Sequence, residues 1–317
     1  MGISSMKTGS MKRSLLVGNA AYIPIVARGV FMGGASGGIS NVIEYITIGT
    51  LGNSTDFGDL TVGRYFGGGC SSVVRGVYSS GWSGALSNTM DYVTIATTGN
   101  ATDFGDSTQA RYALAGCGSS TRGVFGGGYT TGRVATIDYI TIASVGNATS
   151  FGDITVAREN LASASSSTRG LFMMGLPADG ISNIIDYITI ASTGNAIDFG
   201  DATYSARGQA GCSSATRVVF GGGDNGNDVG IATLNYVTIA STGNASSFGD
   251  LTVGRSTPAS TSSSTRGVFA GGSGAVTAYN IIDYVTISTT GNATDFGDLL
   301  ANKSAFAGVS NDHGGLQ

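Results

Sequence analysis

One unit of about 47 residues is written six times along this chain. It opens on Arg28, Arg75, Arg122, Arg169, Arg217 and Arg266, spaced 47, 47, 47, 48 and 49 residues apart. The clearest copy reads Arg122-Gly-Val-Phe-Gly-Gly-Gly, a variable stretch, Ile137-Asp-Tyr-Ile-Thr-Ile, Gly146-Asn147, Phe151-Gly-Asp153 and Arg158. Each unit holds four short strand-like runs, and a period of this length built from such runs is the mark of a propeller blade. In the third copy the expected strands are Tyr112 to Ser119, Gly123 to Phe125, Ile137 to Ala143, and a stretch near Phe151 to Val156. Glycine punctuates every unit and no 3.6-residue apolar stripe persists, which excludes long helices. The 53 glycines recur at fixed positions of the unit, so they are turn chemistry and not low complexity.

Charge is sparse and patterned. Of 16 Lys and Arg, twelve fall on two repeat positions: the six opening arginines, then Arg64, Arg111, Arg158, Arg207, Arg255 and Lys303. Of 20 acids, fifteen fall on three more. Such charges are expected to make blade-to-blade or turn hydrogen bonds. A net charge of −4 without a basic face argues against nucleic acid as a partner. Cys70, Cys117 and Cys212 share a repeat position with Ala164, Thr261 and Val309, which marks a small buried site and neither a disulfide nor a metal framework.

Several chemical motifs fail for want of companions. Four copies of Asp-Phe-Gly, the first at Asp56, lack every other part of a kinase. The Gly-Gly-Gly clusters precede no helix that would turn them into phosphate loops. Sequons at Asn53, Asn100, Asn147 and Asn292 sit in tight turns, where Asn serves turn geometry. His313 is the single histidine, so a His-based triad, a zinc site and a copper site are unavailable. Calcium in the Asp-x-x-Asp turns is the one metal alternative, weakened by Ser150 and Ser247 in place of the first Asp. No catalytic residue and no cofactor is expected.

At the N-terminus, Lys12-Arg13 before Ser14-Leu-Leu-Val imitates a secretory leader, but Gly18-Asn19 and Pro24 interrupt it. Met6 stands where myristoylation needs Ser or Thr. No apolar run reaches the length of a membrane span. The expected organisation is an N-terminal arm over 1–27, a propeller over 28–312 and a tail over 313–317. Residues 14 to 27 supply no opening strand for the first copy, whereas Lys303 to Asp312 looks like an opening strand without a blade. Joining the two closes six blades and removes the exposed edges.

The ordered features Phe125-Gly-Gly, Ile137-Asp-Tyr139, Phe151 and Arg158 resemble the kelch repeat, with Phe where kelch blades usually carry Trp. The resemblance covers residues 28 to 312 and implies an all-β, six-bladed propeller of four-stranded blades. The chain also looks like the Gly/Thr-rich repeat proteins of marine bacteriophages. These carry serial copies of Asp-Tyr-Ile-Thr-Ile-Ala-Ser-Thr-Gly-Asn-Ala-Thr-Asp-Phe-Gly-Asp, and some begin with a segment like Met6-Lys-Thr-Gly-Ser-Met-Lys-Arg-Ser-Leu-Leu-Val-Gly-Asn19. That resemblance implies a virion component on tail or capsid, with other virion proteins as partners, through residues 1–27, and a host-surface glycan or protein as ligand. The alternatives are a purely architectural virion protein and a secreted carbohydrate-binding propeller.

The only freely varying part of the unit joins its second and third strands. It carries Trp82, then Tyr129 and Arg133, then Pro177 and Asp179, then Asp224 and Asp228, then Tyr279. Alternating strand directions place all these connections on one face, which is the expected ligand face.

Overall fold

The computed structural model describes residues 26–227 and 229–316, so the N-terminal arm (but for its last two residues) and Asp228 lie outside the described residues. Six four-stranded antiparallel sheets form a closed ring. The chain is a six-bladed β-propeller. In blade 3 the strands run, from the central channel outward, Ala115–Gly118, Arg122–Gly126, Thr136–Thr141 and Thr149–Asp153. The expected opening strand was too long at its start, because Tyr112 makes only an isolated bridge to Tyr129 and Ala113 turns into the left-handed region at φ 57°. The third and fourth strands also begin and end slightly earlier than expected, and Val156 lies beyond the outer strand.

Blade 1 closes the ring as the sequence led us to expect. Its innermost strand is Ala307–Ser310, paired antiparallel with Arg28–Met32 in the register Gly29↔Ser310 to Met32↔Ala307. Three further strands complete it in the order Arg28–Met32, Val42–Thr47, Thr55–Asp59.

The opening arginines and the repeated tyrosine and phenylalanine rings all make contacts between or within blades. The Asp side chains of Phe-Gly-Asp, expected to hydrogen-bond as well, lie at the outer strand with only their backbone groups held among the described residues, as Asp59 N–H is by Asn100. Each opening arginine stacks on the tyrosine of its own third strand, at 4.3–4.7 Å for Arg28 on Tyr45 through Arg266 on Tyr284. It also donates to a carbonyl of the following blade, as Arg122 Nη1 does to Ile190 at 2.8 Å and Arg266 Nη1 to Ile48 at 2.8 Å. The six phenylalanines of Phe-Gly-Asp are all buried. Each meets that same tyrosine edge-on, with centroids 5.9–6.1 Å apart. The asparagines of Gly-Asn turn out to work between blades: Asn100 Oδ1 accepts the Asp59 N–H at 3.0 Å, and Gly99 N–H donates to the Phe57 carbonyl at 2.7 Å. The outer strand of one blade is thus covered by the turn of the next, which blunts its edge.

The cysteine position is a packing socket. A Cβ on Gly123 would fall 2.3 Å from Cys70 Sγ, and one on Gly267 would fall 2.4 Å from Cys212 Sγ. The glycine after each opening arginine therefore makes room for the side chain of the preceding blade. Blade 5 reverses the fit: Val218 replaces the glycine and packs in one core cluster with Ala164, the smallest member of the series. Burial pushes the Cys117 and Cys212 thiols up to about 12, which leaves them unreactive at neutral pH.

Blade 5 also corrects the charge register. The position of Arg64, Arg111, Arg158, Arg255 and Lys303 is held in blade 5 by Ala206, whose carbonyl accepts the Gly175 N–H as the Arg158 carbonyl accepts that of Gly128. Arg207 is one residue further on, at the position of Tyr112 and Glu159. The other five cations are buried and paired: Arg64–Asp91, Arg111–Asp138, Arg158–Asp186, Arg255–Asp283 and Lys303–Glu44, all within 3.0 Å. The shorter lysine is matched by the longer glutamate.

Candidate functional site

Two hydrogen-bonded devices, one of backbone groups and one of serine hydroxyls, define the channel ends. At the mouth where the inner strands begin, six residues form a head-to-tail ring of N–H to carbonyl bonds. Ala113 donates to Phe66 at 2.7 Å, Asn160 to Ala113 at 2.8 Å, Gly208 to Asn160 at 2.8 Å, Thr257 to Gly208 at 2.6 Å, Ala305 to Thr257 at 3.0 Å and Phe66 to Ala305 at 2.7 Å. All six adopt left-handed φ between 51° and 66°, although only one is glycine. Closure of the ring holds five side-chain-bearing residues in a conformation that costs of order 1–3 kcal/mol each elsewhere.

At the opposite mouth, serine hydroxyls link the inner strands. Ser310 Oγ donates to the Ser262 carbonyl at 2.6 Å, Ser262 to Ser213 at 2.9 Å, Ser213 to Ser165 at 2.8 Å, Ser165 to Gly118 at 2.7 Å and Ser71 to Ser310 at 2.7 Å. Blade 3 breaks the series, because Gly118 has no hydroxyl to offer Ser71. His313 supplies it: Nε2 donates to the Ser71 carbonyl at 3.1 Å while Nδ1 accepts the Gly315 N–H at 3.0 Å. The stretch expected to be a tail is therefore a plug, with Gly314–Leu316 forming a 3-10 turn over the mouth. A Cβ on Gly315 would collide with the Gly118 carbonyl oxygen and one on Gly314 with the Ser214 carbonyl oxygen, so both plug glycines are required by the approach.

Burial pushes the His313 imidazole down to about 4, against opposing pulls from the Ser71 carbonyl and Asp312. Protonating Nδ1 would also break the bond from Gly315. Between the ordinary histidine value of 6.5 and about 4, the unfolded chain holds a proton that the folded chain does not. Stability contributed by His313 is thus complete above pH 6.5 and is lost as pH falls through that window. Urea unfolding at pH 7 and pH 4.5 should show a larger acid-induced loss in the native chain than in His313→Gln. Equal losses would place His313 outside the folded contact.

The ring-mouth face carries the variable connections. There each blade bridges the start of its second-to-third connection to the preceding inter-blade connection: Tyr65↔Trp82, Tyr112↔Tyr129, Glu159↔Leu176, Arg207↔Asp224, Ser256↔Ser273 and Ala35↔Ser304. One backbone bridge is thus presented with six different side-chain pairs. Blades 2 and 3 make it aromatic. Tyr112 lies centrally, its centroid 6.0 Å from Trp82, 5.6 Å from Tyr129 and 6.1 Å from Phe66, which is itself 5.4 Å from Tyr65. Beside them Arg133 Nη2 meets Glu159 Oε1 at 3.2 Å. Burial raises the Tyr112 hydroxyl, helped by Glu159, Tyr129 and Tyr65. Burial also raises Glu159, against the pull of Arg133 and Arg207.

Of the residues singled out in the sequence, Trp82, Tyr129 and Arg133 come together. Asp224 is on the same face but nearly buried, held by Arg207 Nε at 3.0 Å and by the Gly226 N–H at 2.8 Å. Asp179 is exposed on the blade 4 connection, and Tyr279 folds over its own blade 6 loop against Gly274. Sequence reasoning missed Tyr65, Phe66, Tyr112 and Glu159, because they sit in the inter-blade connection that it assigned to strand. The available signal was the position after the buried cation, which takes four side-chain types in six copies: Tyr65, Tyr112, Glu159, Arg207, Ser256 and Ser304.

Among the described residues no three His, Cys, Asp or Glu side chains gather around a point, and no helix is long and apolar enough to cross a membrane. No protein-family model matches the chain, and no curated protein matches it.

Proposed function

We propose that this chain is a non-catalytic display module of a bacteriophage particle, on tail or fibre, that attaches to a host surface through the face bearing the variable connections. The observation that carries the binding role is the contrast between blades. The repeat keeps its buried pairs, stacked rings and turns nearly constant, yet changes the side chains on one bridge of one face from blade to blade. Constancy serves closure of the ring, so variation confined to one exposed face is the pattern of a surface freed to recognise something. The particle assignment rests on the likeness of the repeat, and of residues 6–19, to virion proteins. The paired glycines, tyrosine strand and closing cation support a kelch-type repeat.

Two measurements test it. Mass spectra of purified particles should contain this chain. Replacing Trp82, Tyr129 and Arg133 together by Ala should leave the melting temperature within a few degrees, since no repeated contact uses them, and should reduce adsorption to the host at least about tenfold. Particles that contain the chain but adsorb normally with the triple variant would assign it an architectural role in the virion. Particles without it would remove the assignment.

A further inference from the structure

The aromatic sector can be read for the kind of ligand it would hold. Tyr65, Trp82, Tyr112 and Tyr129 are all partly exposed. Tyr112 is tilted 71° to Trp82 and 53° to Tyr129, so the patch is faceted and presents ring faces at several angles. Among the described residues the hydroxyls of Tyr65, Tyr112 and Tyr129 and the Trp82 indole N–H make no hydrogen bond within the protein. Tyr78 and Tyr204 contrast with them: the first contacts the Gly67 N–H at 3.0 Å and the second the Thr233 carbonyl at 2.8 Å. The open groups are thus polar tips on apolar rings, which suits a ligand with both an apolar face and hydroxyls. Rings with few rotatable bonds also lose little freedom on binding.

Charge narrows the class. Arg133 is paired with Glu159 and Arg207 with Asp224, so the edge of the patch offers donors and acceptors without a net field. An anionic or cationic ligand would find no unopposed partner there. We propose that the Tyr65–Trp82–Tyr112–Tyr129 shelf, with Glu159 and Arg133 at its edge, binds neutral pyranose units of a glycan. Carbon–hydrogen faces of the sugar would stack on the rings, while its hydroxyls would bond the tyrosine hydroxyls and the Glu159 carboxylate. This deepens the display reading and rests on it for its biological meaning, though not for its chemistry.

Trp82 is the only tryptophan of the 317-residue chain, so its emission reports on this shelf alone. The full chain is titrated with cellotetraose, maltotetraose and chitotetraose, with 3′-sialyllactose as an anionic comparison. At least one neutral tetrasaccharide should give a saturable shift, weakened about tenfold or more by Tyr129→Ala and by Glu159→Gln, each checked for fold by circular dichroism. Ser273→Ala, on the opposite sector, should leave it unchanged. Absence of a shift with all three neutral sugars, a shift indifferent to both variants, or preference for the anionic sugar would overturn the assignment. If the sugars fail while the triple variant still loses adsorption, the glycan class falls and the display role stands. If a sugar binds but purified particles lack the chain, the reverse holds.

Discussion

A chain ending at Ala301 should not yield a folded monomer. The truncation removes Ala307–Ser310, so the Arg28–Met32 strand loses its partner along the whole register from Gly29 to Met32. It removes Lys303, leaving the Glu44 carboxylate, 0% exposed, without its cation. Breaking a buried pair from one side costs about 3–5 kcal/mol. Phe306 goes too, taking its edge contact with Phe31 at 5.8 Å, and loss of a buried Phe costs about 3–5 kcal/mol. Ala305 is a link of the backbone ring at one channel mouth, which then opens, and Ser310 is a link of the serine series at the other, which is then cut. These losses together match the whole net stability of a typical domain, about 5–15 kcal/mol, and the freed edge is a template for association. Size-exclusion chromatography should show aggregate, and circular dichroism no cooperative melt. A monomer with an unchanged melting temperature would show that the ring does not depend on this strand.

The ring itself was legible because the repeat recurs in register: an arginine every 47 to 49 residues, a Phe-Gly-Asp per copy, and one orphan strand at the end to match one missing at the start. What was not legible depends on comparing positions across blades and not along the chain. Arg207 was aligned with Arg158 by identity, yet Phe199 to Arg207 is one residue longer than Phe151 to Arg158. The structure keeps the backbone count, so Ala206 takes the buried place. The role of His313 could be found only by noticing that Gly118 interrupts a series of five serines. Trp82, Tyr129 and Arg133 were legible as variable positions. Their neighbours Tyr65, Tyr112 and Glu159 were hidden in a stretch that looks strand-like but turns through a left-handed residue to bond the next blade.

Blade 5 is a natural experiment on the buried ion pairs, and it can be transplanted. In blade 4 the Arg158 guanidinium pairs with Asp186 at 2.8 Å and also donates to the Met174 carbonyl at 2.8 Å and the Phe172 carbonyl at 3.2 Å. In blade 5 the corresponding residues are Ala206 and Asn235, so both charges are absent together. The vacated volume is taken by Tyr204, whose hydroxyl lies 2.8 Å from the Thr233 carbonyl. That carbonyl is the counterpart of the Thr136 carbonyl, which Arg111 Nη1 reaches at 3.0 Å in blade 3. Asn235 Oδ1 still accepts the Thr203 N–H at 2.8 Å, as Asp186 Oδ2 accepts that of Thr155 at 3.3 Å. Arg158→Ala alone should therefore cost about 3–5 kcal/mol, since it strands the Asp186 carboxylate in a site with no other cation. The triple change Val156→Tyr, Arg158→Ala and Asp186→Asn should return the protein to within about 1 kcal/mol of the native chain, because replacing both charges by well-packed neutral groups avoids their desolvation. Urea midpoints of the three proteins decide it. A single variant that loses less than about 1 kcal/mol would mean that the pair is not buried as described. A triple variant no more stable than the single one would mean that tyrosine cannot fill the space left by arginine between blades 3 and 4, and that the blade 5 arrangement depends on more than these three positions.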